Sequence, residues 1–476
     1  MDINRRSLLK SALVGGAVAG TAGLVACSNQ SSDPTATASA GAITVSENEV
    51  TPLQLFASQD FNGQALFAAG AASSHTAEVG EVMRIVQTIN KKTGNPADPT
   101  TDDFDTFYNE FGTYADQLEK LAADTGSAHS ISMRNRYLRS AMYAAQQVFF
   151  VLGTSNAGRE QEIFQTCQNR WLKAMATFRP KMVSSKVKSK YGEIPVYFIP
   201  APGSGRKPTV IISEGSDGQN VETMQFGVTA ALDRGYNVVL FEGPGQMSLL
   251  FDQQITFTPN WDEVVGPVLN WTRNFPSVGK VGLIGISFGG MLCARPAAKL
   301  KLDAVVLEPG AYSMPLLWGD QESMKTVQET HSIPEAEKQK VVEEVNKGFA
   351  EAWGKMNRAD QFRVYKRGEI FDKQVQNDAR ANKTPSNYYA LLEKLIPFNY
   401  EQDYKKIKIP TMITINEGDQ FFGDQGHQAF DWLQNVPANK KKFLDLTAAM
   451  GASMHDQPIG PQVAQEFVFD WLDEVM

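Results

Sequence analysis

The residues best suited to chemistry lie in the segment V-G-L-I-G-I-S-F-G-G, at positions 281–290. An apolar run enters a G-x-S-x-G turn, and a segment containing Ala and Leu follows it as far as Leu300. A turn of this kind raises one serine above the end of a strand and needs small residues where the backbone doubles back. Ser287 is therefore the predicted nucleophile, with Gly285 and Gly289 as the small residues beside it.

A serine hydroxyl needs a histidine as its base near neutral pH, and the imidazole needs a carboxylate partner. The chain has five histidines. After such a turn the acid follows the serine and the histidine comes last, which leaves His427 and His455. We predict His455 because it follows the apolar run K-F-L-D-L and a small-residue loop. His427 falls in a predicted helix at 425–433 and is expected to be a surface or lid residue.

The acid is expected just past the strand I-P-T-M-I-T-I-N at 409–416, in the turn E-G-D. Asp419 is the predicted acid, Asp424 is the second candidate, and Glu417 is the third. An aspartate after a glycine also suits an Asx turn. The preceding strand and the correctly ordered serine and histidine favour the catalytic interpretation.

Two backbone N–H groups must face the oxyanion that forms on the substrate. Phe288, directly after the nucleophile, supplies one. Ser216 is the predicted second donor, because it lies in the loop E-G-S-D-G after the strand at 208–213. The strand at 236–241 enters the loop E-G-P-G-Q, where Glu242 is predicted to brace the loop, with substrate contact as the alternative.

Alternating β and α segments are predicted to position these residues. A hairpin is predicted at 187–200, and strands are predicted near residues 208, 236, 281, 303, 410 and 442. This alternation predicts a doubly wound, mostly parallel α/β sheet whose ligand site lies at the carboxyl ends of the strands. The candidate residues at such ends are Ser216, Ser287, Asp419 and His455.

The chain exceeds one ordinary domain of this class. Residues 47–180 are predicted to form a helical N-terminal cap domain that covers Ser287. Residues 181–476 form the predicted core, with a helical insertion at 313–400 before the strand that carries the acid. The helical prediction rests on apolar residues at spacings of three and four, namely Leu138, Ala141, Ala145, Val148 and Leu152.

Four segments together resemble the helical-capped α/β-hydrolases, a family that includes 2,6-dihydroxypseudooxynicotine hydrolase and fungal polyketide-shortening hydrolases. They are E-G-S-D-G, F-E-G-P-G-Q, P-N-W-D-E-V-V-G-P-V and G-I-S-F-G-G. The resemblance spans 130–476 and implies the α/β-hydrolase fold and a Ser-Asp-His triad. Some members cleave carbon–carbon bonds next to a ketone with an additional acid, for which Glu308 is the candidate, unless it braces its loop. Met247 departs from the pattern, because relatives often have glycine there.

The N-terminus has the pattern of an exported lipoprotein. Arg5 and Arg6 precede a weakly apolar segment that ends in L-V-A-C at Cys27. Twin arginines indicate Tat-type export of a folded protein, and the last four residues resemble a cleavage box whose cysteine is acylated. We predict a signal peptide at 1–26, lipidation of Cys27 and a flexible tether at 27–46. A transmembrane anchor is disfavoured, because a spanning helix needs ~20 apolar residues.

The net charge and the motif content of the chain limit the classes of partner and cofactor that it is expected to bind. Loss of residues 1–26, which carry three basic residues and one acidic residue, moves the net charge from −8 to −10. An acidic surface argues against nucleic acid as a partner. No residue cluster has metal-ligand spacing and no glycine-rich stretch has a dinucleotide or P-loop pattern, so no metal or cofactor is expected. The predicted partners are a small-molecule substrate and, through the lipid, a membrane of the bacterial cell envelope, on its periplasmic side or at the cell surface. The sequence is also compatible with a homodimer.

The combined prediction is an exported serine hydrolase for an ester, an amide or a carbon–carbon bond next to a ketone, in a small apolar or aromatic substrate. One alternative is a catalytically inactive lipoprotein of the same fold that binds a ligand or partner. A second alternative is a peptidase. The ordered serine, aspartate and histidine favour the hydrolase.

Overall fold

The computed structural model describes residues 53–330 and 333–476. The predicted signal peptide, Cys27 and the tether at 27–46 lie outside the described residues. Five helices open the described chain: α1 Gln59–Gly70, α2 Val79–Thr93, α3 Thr101–Thr125, α4 Ser130–Phe150 and α5 Glu160–Met175. Along 53–330 and 333–476, no helix has both the length and the apolar character needed to cross a bilayer.

Helix α4 forms the interior of this helical segment. The Ser140 side chain donates to the Ala115 carbonyl of α3 at 2.7 Å, and the Cys167 thiol of α5 lies 3.3 Å from the carbonyl oxygen of Ala141. The predicted apolar stripe at 138–152 is buried between these neighbours. Its partners therefore include the adjacent helices.

The remaining chain contains an eight-stranded sheet with the order β1-β2-β4-β3-β5-β6-β7-β8. Its strands are β1 Val183–Ser189, β2 Gly192–Ile199, β3 Lys207–Ser213, β4 Asn237–Phe241, β5 Val278–Ile286, β6 Ala304–Glu308, β7 Thr411–Asn416 and β8 Lys441–Leu446. Strand β2 pairs antiparallel with β1 and β4, and every other pair is parallel. The predicted hairpin and the six strands after it are confirmed, and the sheet is mostly parallel as predicted. Strands β4 and β6 are buried along their whole length, as a sheet covered on both faces requires.

Helices occupy most connections between the strands. Those between β3 and β6 are α6 Val228–Asp233, α7 Met247–Phe251, α8 Asp262–Thr272, α9 Phe288–Leu292 and α10 Ala294–Lys299. Among the described residues, six lie between β6 and β7: α11 Gln321–Thr330, α12 Glu335–Trp353, α13 Arg358–Gly368, α14 Lys373–Arg380, α15 Tyr388–Leu395 and α16 Glu401–Tyr404. The last two are α17 Gln425–Asp431 and α18 Pro461–Val475. Met247 has a φ of 42°, in the left-handed region that favours glycine. This conformation explains why relatives often have glycine where this chain has methionine.

The N-terminal helices contact both the β6–β7 helices and the end of the core. Arg358 of α13 donates to the carbonyl oxygens of Leu152 and Gly153, each at 2.8 Å. A Cβ added to Gly70, at the end of α1, would lie 1.8 Å from the Pro458 carbonyl oxygen. Pro458 follows His455 by three positions, so helix α1 ends beside the loop that carries the predicted base.

Candidate active site

Ser287 lies in a sharp turn between β5 and α9. Its φ of 54° and ψ of −125° are rarely adopted by residues other than glycine. The Ser287 N–H donates to the Glu308 carbonyl oxygen at 2.7 Å, which fixes the turn to β6. A Cβ on Gly285 would lie 2.3 Å from the Gly289 oxygen, and one on Gly289 would lie 2.3 Å from the Ser213 oxygen. Side chains at these two positions would therefore disrupt the turn that presents Ser287.

The structure brings Ser287, His455 and Asp419 into one chain of contacts. Ser287 Oγ lies 2.9 Å from His455 Nε2, and His455 Nδ1 lies 2.9 Å from Asp419 Oδ2. The other oxygen, Asp419 Oδ1, accepts hydrogen bonds from the backbone N–H groups of Phe421 at 2.7 Å and Phe422 at 3.0 Å. These bonds orient the carboxylate, which in turn holds the imidazole with Nε2 towards the serine.

The other candidates for acid and base have different surroundings. Asp424 is exposed at the start of α17, and Glu417 accepts a hydrogen bond from the Ala448 N–H at 2.7 Å. His427 is exposed and its ring stacks on Phe443, with the centroids 4.7 Å apart. The carboxylate on His455 Nδ1 is therefore that of Asp419.

Burial and charge set the protonation of this pair. Burial favours the neutral form of Asp419, but the His455 imidazole and the hydrogen bonds from His455, Phe421 and Phe422 outweigh it, so the pKa of Asp419 lies below its ordinary value. Burial disfavours the charged form of His455, but the carboxylates of Asp456 and Asp419 outweigh it and raise the pKa of His455 to about 9. Asp419 is thus ionised at neutral pH, as a carboxylate that stabilises an imidazolium must be.

The loop after β3 lies directly against the serine. A Cβ added to Gly215 would lie 2.9 Å from Ser287 Oγ, and the Gln246 side chain donates to the Gly215 carbonyl oxygen at 2.9 Å. Ser216 follows Gly215, and its hydroxyl donates to Asp217 at 2.9 Å. Phe288 begins α9, where the first N–H groups have no intrahelical acceptor. The two predicted oxyanion donors therefore lie in the two segments that flank Ser287.

Glu242 has the contacts of a structural brace. Its Oε1 accepts hydrogen bonds from Gln168 at 2.8 Å, Tyr197 at 2.7 Å and Asn220 at 2.9 Å. Its Oε2 accepts from the backbone N–H of Ser248 at 3.1 Å and from the Ser248 hydroxyl. The carboxylate thereby connects helix α5, strand β2 and the loop after β4.

Comparisons with known proteins agree with this architecture. No family model matches the chain. The α/β hydrolase psoB of Aspergillus fumigatus is 29% identical over 287 residues, which cover 55% of this chain and 60% of that protein. The 20-hydroxy-prefusarin hydrolase of Gibberella moniliformis is 27% identical over 268 residues, which cover 53% and 61%. The matches therefore span about 60% of the length of these relatives.

The crystal structure of 2,6-dihydroxy-pseudo-oxynicotine hydrolase matches with a TM-score of 0.53 at 17% identity, over 78% of this chain and 88% of that one. The chain adopts the α/β-hydrolase fold. The predicted fold class and the predicted resemblance are confirmed, and the names of the relatives agree with the predicted enzyme class.

Glu308 and Asp456 are among the further acidic residues near the serine, and sequence reasoning missed Asp456. Glu308 is buried; burial and the Asp456 carboxylate raise the pKa of Glu308 to about 8, against an opposing contact with Gln457. Asp456, which was not predicted, has Oδ2 at 3.2 Å from His455 Nε2. Its one sequence signal is its position next to the predicted base.

Arg367 was also missed, because it lies in the helical insertion, 150 positions from its partner. It pairs with Asp217, and its guanidinium lies 4.7 Å from the centre of the Phe421 ring. In the described parts of the chain, no three His, Cys, Asp or Glu side chains group as metal ligands would.

Proposed function

We propose that this chain is a serine hydrolase in which Ser287 is the nucleophile, His455 is the general base and Asp419 orients the imidazole. The main support is the pair of contacts that joins the three residues. Ser287 Oγ lies 2.9 Å from His455 Nε2, and His455 Nδ1 lies 2.9 Å from Asp419 Oδ2. Nucleophile, base and orienting carboxylate in this geometry are what acyl transfer requires.

The reaction follows from these contacts. As Ser287 Oγ bonds to the substrate carbonyl carbon, His455 Nε2 accepts the hydroxyl proton. The backbone N–H groups of Phe288 and Ser216 stabilise the oxyanion. The leaving group departs with a proton, and water then cleaves the acyl–serine bond and returns the proton to Ser287.

The proposed substrate is small and apolar or aromatic, with an ester, an amide or a carbon–carbon bond next to a ketone as the bond that is cleaved. Aromatic side chains support this preference: the rings of Phe421 and Phe422 lie 4.9 and 5.3 Å from that of His455. Carbon–carbon cleavage has separate support. With a pKa of about 8, Glu308 is a neutral acid at pH 7, and a carbon leaving group needs a proton.

Covalent labelling tests the proposal. A fluorophosphonate probe is expected to label the wild-type chain and the control Ser216→Ala, which keeps its backbone N–H, but not Ser287→Ala. Turnover of p-nitrophenyl esters, β-diketones and peptides then separates esterase, carbon–carbon hydrolase and peptidase. A wild-type chain that resists the probe and cleaves none of these substrates would favour an inactive ligand- or partner-binding protein.

We also propose that the chain is exported and held at the bacterial cell envelope by a lipid on Cys27. The support is the sequence pattern of Arg5, Arg6 and L-V-A-C. In a bacterial host fed a clickable fatty acid, Cys27→Ser should lose the lipid, whereas Cys167→Ser, which changes a buried cysteine, should keep it. Lysine at both arginines should block export. A wild-type chain that is soluble and carries no fatty-acid label would contradict this proposal.

Whether the mature chain forms a homodimer is a separate question, which analytical ultracentrifugation tests.

A further inference from the structure

His455 has a second carboxyl group on the side that faces the serine. Asp456 Oδ2 lies 3.2 Å from Nε2 of His455, the same nitrogen that lies 2.9 Å from Ser287 Oγ. The Asp456 side chain is 8% exposed, and its buried Oδ1 has no hydrogen-bond partner within the described residues. A triad needs a carboxylate only on the Nδ1 side. Here the imidazole lies between two carboxyl groups.

The turn around Asp456 is fixed in an unusual conformation. Met454, Asp456 and Gln457 have φ values of 69°, 53° and 47°, in the left-handed region where side chains are strained. The Met454 N–H donates to the Glu417 carbonyl oxygen at 2.7 Å, and the Gln457 amide donates to Asn416 at 2.6 Å. Both anchors lie at the end of β7. The strained turn therefore delivers the Asp456 carboxyl group to Nε2.

The groups around Asp456 favour its neutral form. Burial raises the pKa of Asp456 to about 7; the His455 imidazole and the Ser287 backbone oppose this shift, and the carboxylates of Asp419 and Asp217 add to it. Further carboxyl groups face it from Glu214 and Glu308, while Arg367 acts on His455 from the helical insertion. Because the pKa of His455 is raised as well, the site holds one proton more than a triad with a neutral histidine.

We infer that Asp456 is a further catalytic residue, which donates a proton to the leaving group and later accepts one from the hydrolytic water. The inference rests on the proposed serine hydrolase function. In the reactive form the additional proton is on Asp456, and Nε2 of His455 is free to accept the proton of Ser287.

The protons and electron pairs balance over the cycle. Ser287 Oγ bonds to the carbonyl carbon, and its proton passes to His455 Nε2. The bond to the leaving group breaks; the leaving atom keeps the electron pair and takes the proton of Asp456, whose carboxylate then pairs with the imidazolium. Water adds to the acyl carbon and gives its proton to Asp456. The acyl–Oγ bond breaks, and Ser287 recovers its proton from His455.

A separate acid matters most for a strongly basic leaving group, because such an atom cannot depart without a proton. A series of acetate esters from p-nitrophenyl to ethyl keeps the acyl group constant and varies only this property. Asp456→Asn keeps the shape of the side chain but cannot donate a carboxylic proton. Every ester in the series gives the same acetyl-enzyme, so the acylation rate is the quantity to compare. In Asp456→Asn we expect the burst rate with p-nitrophenyl acetate to stay within about threefold of wild type, while the acylation rate with ethyl acetate falls by about 10²–10⁴.

Fluorophosphonate labelling tests the serine hydrolase function separately from the proton-donor role of Asp456. Labelling of Ser287 should proceed at a wild-type rate in Asp456→Asn, which also shows that the variant is folded. Glu222→Gln is the matched control for loss of a buried carboxyl group, because Glu222 is buried and accepts a hydrogen bond from the Gln219 N–H at 2.7 Å. It should show a flat response across the ester series. An equal loss of acylation rate for all esters in Asp456→Asn, or a leaving-group dependence found in Glu308→Gln instead, would overturn the inference but leave the serine hydrolase intact. Failure of the wild-type chain to be labelled would overturn the proposed function itself.

Discussion

Two buried regions of the molecule hold carboxyl groups in opposite ways. Around Glu242, both carboxylate oxygens accept hydrogen bonds from neighbours on several elements. Around Ser287, one oxygen of each of three buried carboxyl groups has no hydrogen-bond partner in the described part of the chain. These three residues are Glu214, Glu308 and Asp456.

The difference distinguishes carboxyl groups with a structural role from carboxyl groups that are available for proton transfer. A buried acceptor without a donor costs stability, so folded proteins pair nearly all of them. The carboxyl groups near Ser287 relieve part of that cost by retaining a proton, since burial raises the pKa of Glu308 to about 8 and that of Asp456 to about 7. Paired carboxylates hold elements together, whereas carboxyl groups whose pKa is raised to near neutral pH are available for proton transfer.

The largest effect is expected at Asp419, a carboxylate near the serine with hydrogen-bond partners on both oxygens. Asp419→Asn should lower turnover about 10⁴-fold, because an amide on Nδ1 stabilises the wrong imidazole tautomer. Asp424→Asn, in the same loop, should keep the wild-type rate, because Asp424 is exposed and is not the carboxylate on Nδ1. Steady-state kinetics at neutral pH compare the two. A severe loss in Asp424→Asn with Asp419→Asn unchanged would reverse the assignment.

The strands and the Ser287–His455–Asp419 contact chain follow from local signals. Each strand is a short apolar run, and each of these three residues lies in the loop after such a run. Asp456 and Arg367 were missed because their positions depend on tertiary structure. A left-handed turn brings Asp456 to Nε2, and Arg367 meets Asp217 only when the helical insertion packs on the core. Likewise, the spacing at 138–152 predicts a buried helix face but not its neighbours.

Loss of the brace is expected to affect stability more than catalysis. Glu242→Gln places an NH₂ group against donors and should lower the free energy of unfolding by about 1–3 kcal/mol. Urea unfolding measures this change, with Glu193→Gln as an exposed control that should stay within about 0.5 kcal/mol of wild type. Probe labelling of Ser287 in the folded variant should be unchanged. A slowed reaction at unchanged stability would indicate substrate contact and remove the contrast between the two regions.

The unpaired carboxyl groups predict a pH-dependent stability. The pKa of Glu308 is raised from 4.5 to about 8, so the folded chain retains a proton that the unfolded chain releases between these values. The contribution is complete below pH 4.5 and is lost as the pH rises through 8. Glu308→Gln cannot ionise, so its urea midpoint should fall less than that of wild type between pH 5 and pH 8.5. The exposed control Glu466→Gln should keep the wild-type slope, and a wild-type slope in Glu308→Gln would contradict the raised pKa.

The smallest effect is expected at the ion pair that connects the helical insertion to the loop that carries Ser216. Arg367 is 29% exposed and pairs with Asp217, which accepts a hydrogen bond from the Ser216 hydroxyl. Partly exposed pairs contribute about 0.2–1 kcal/mol, and Lys366 still lies 3.9 Å from the other oxygen of Asp217. Arg367→Met, which keeps apolar contact with Phe421, should therefore lower kcat/KM by up to about fivefold.

The same helix provides the control for this change. Arg363 pairs with Asp60 and Asp360, neither of which belongs to the loop that carries Ser216. Arg363→Met should leave kcat/KM unchanged, although both substitutions remove one arginine from α13. Equal effects in the two variants would mean that α13 acts only through its overall packing. A loss confined to Arg367→Met would show that the insertion helps to hold the oxyanion loop and that its ion pair belongs to the reactive region.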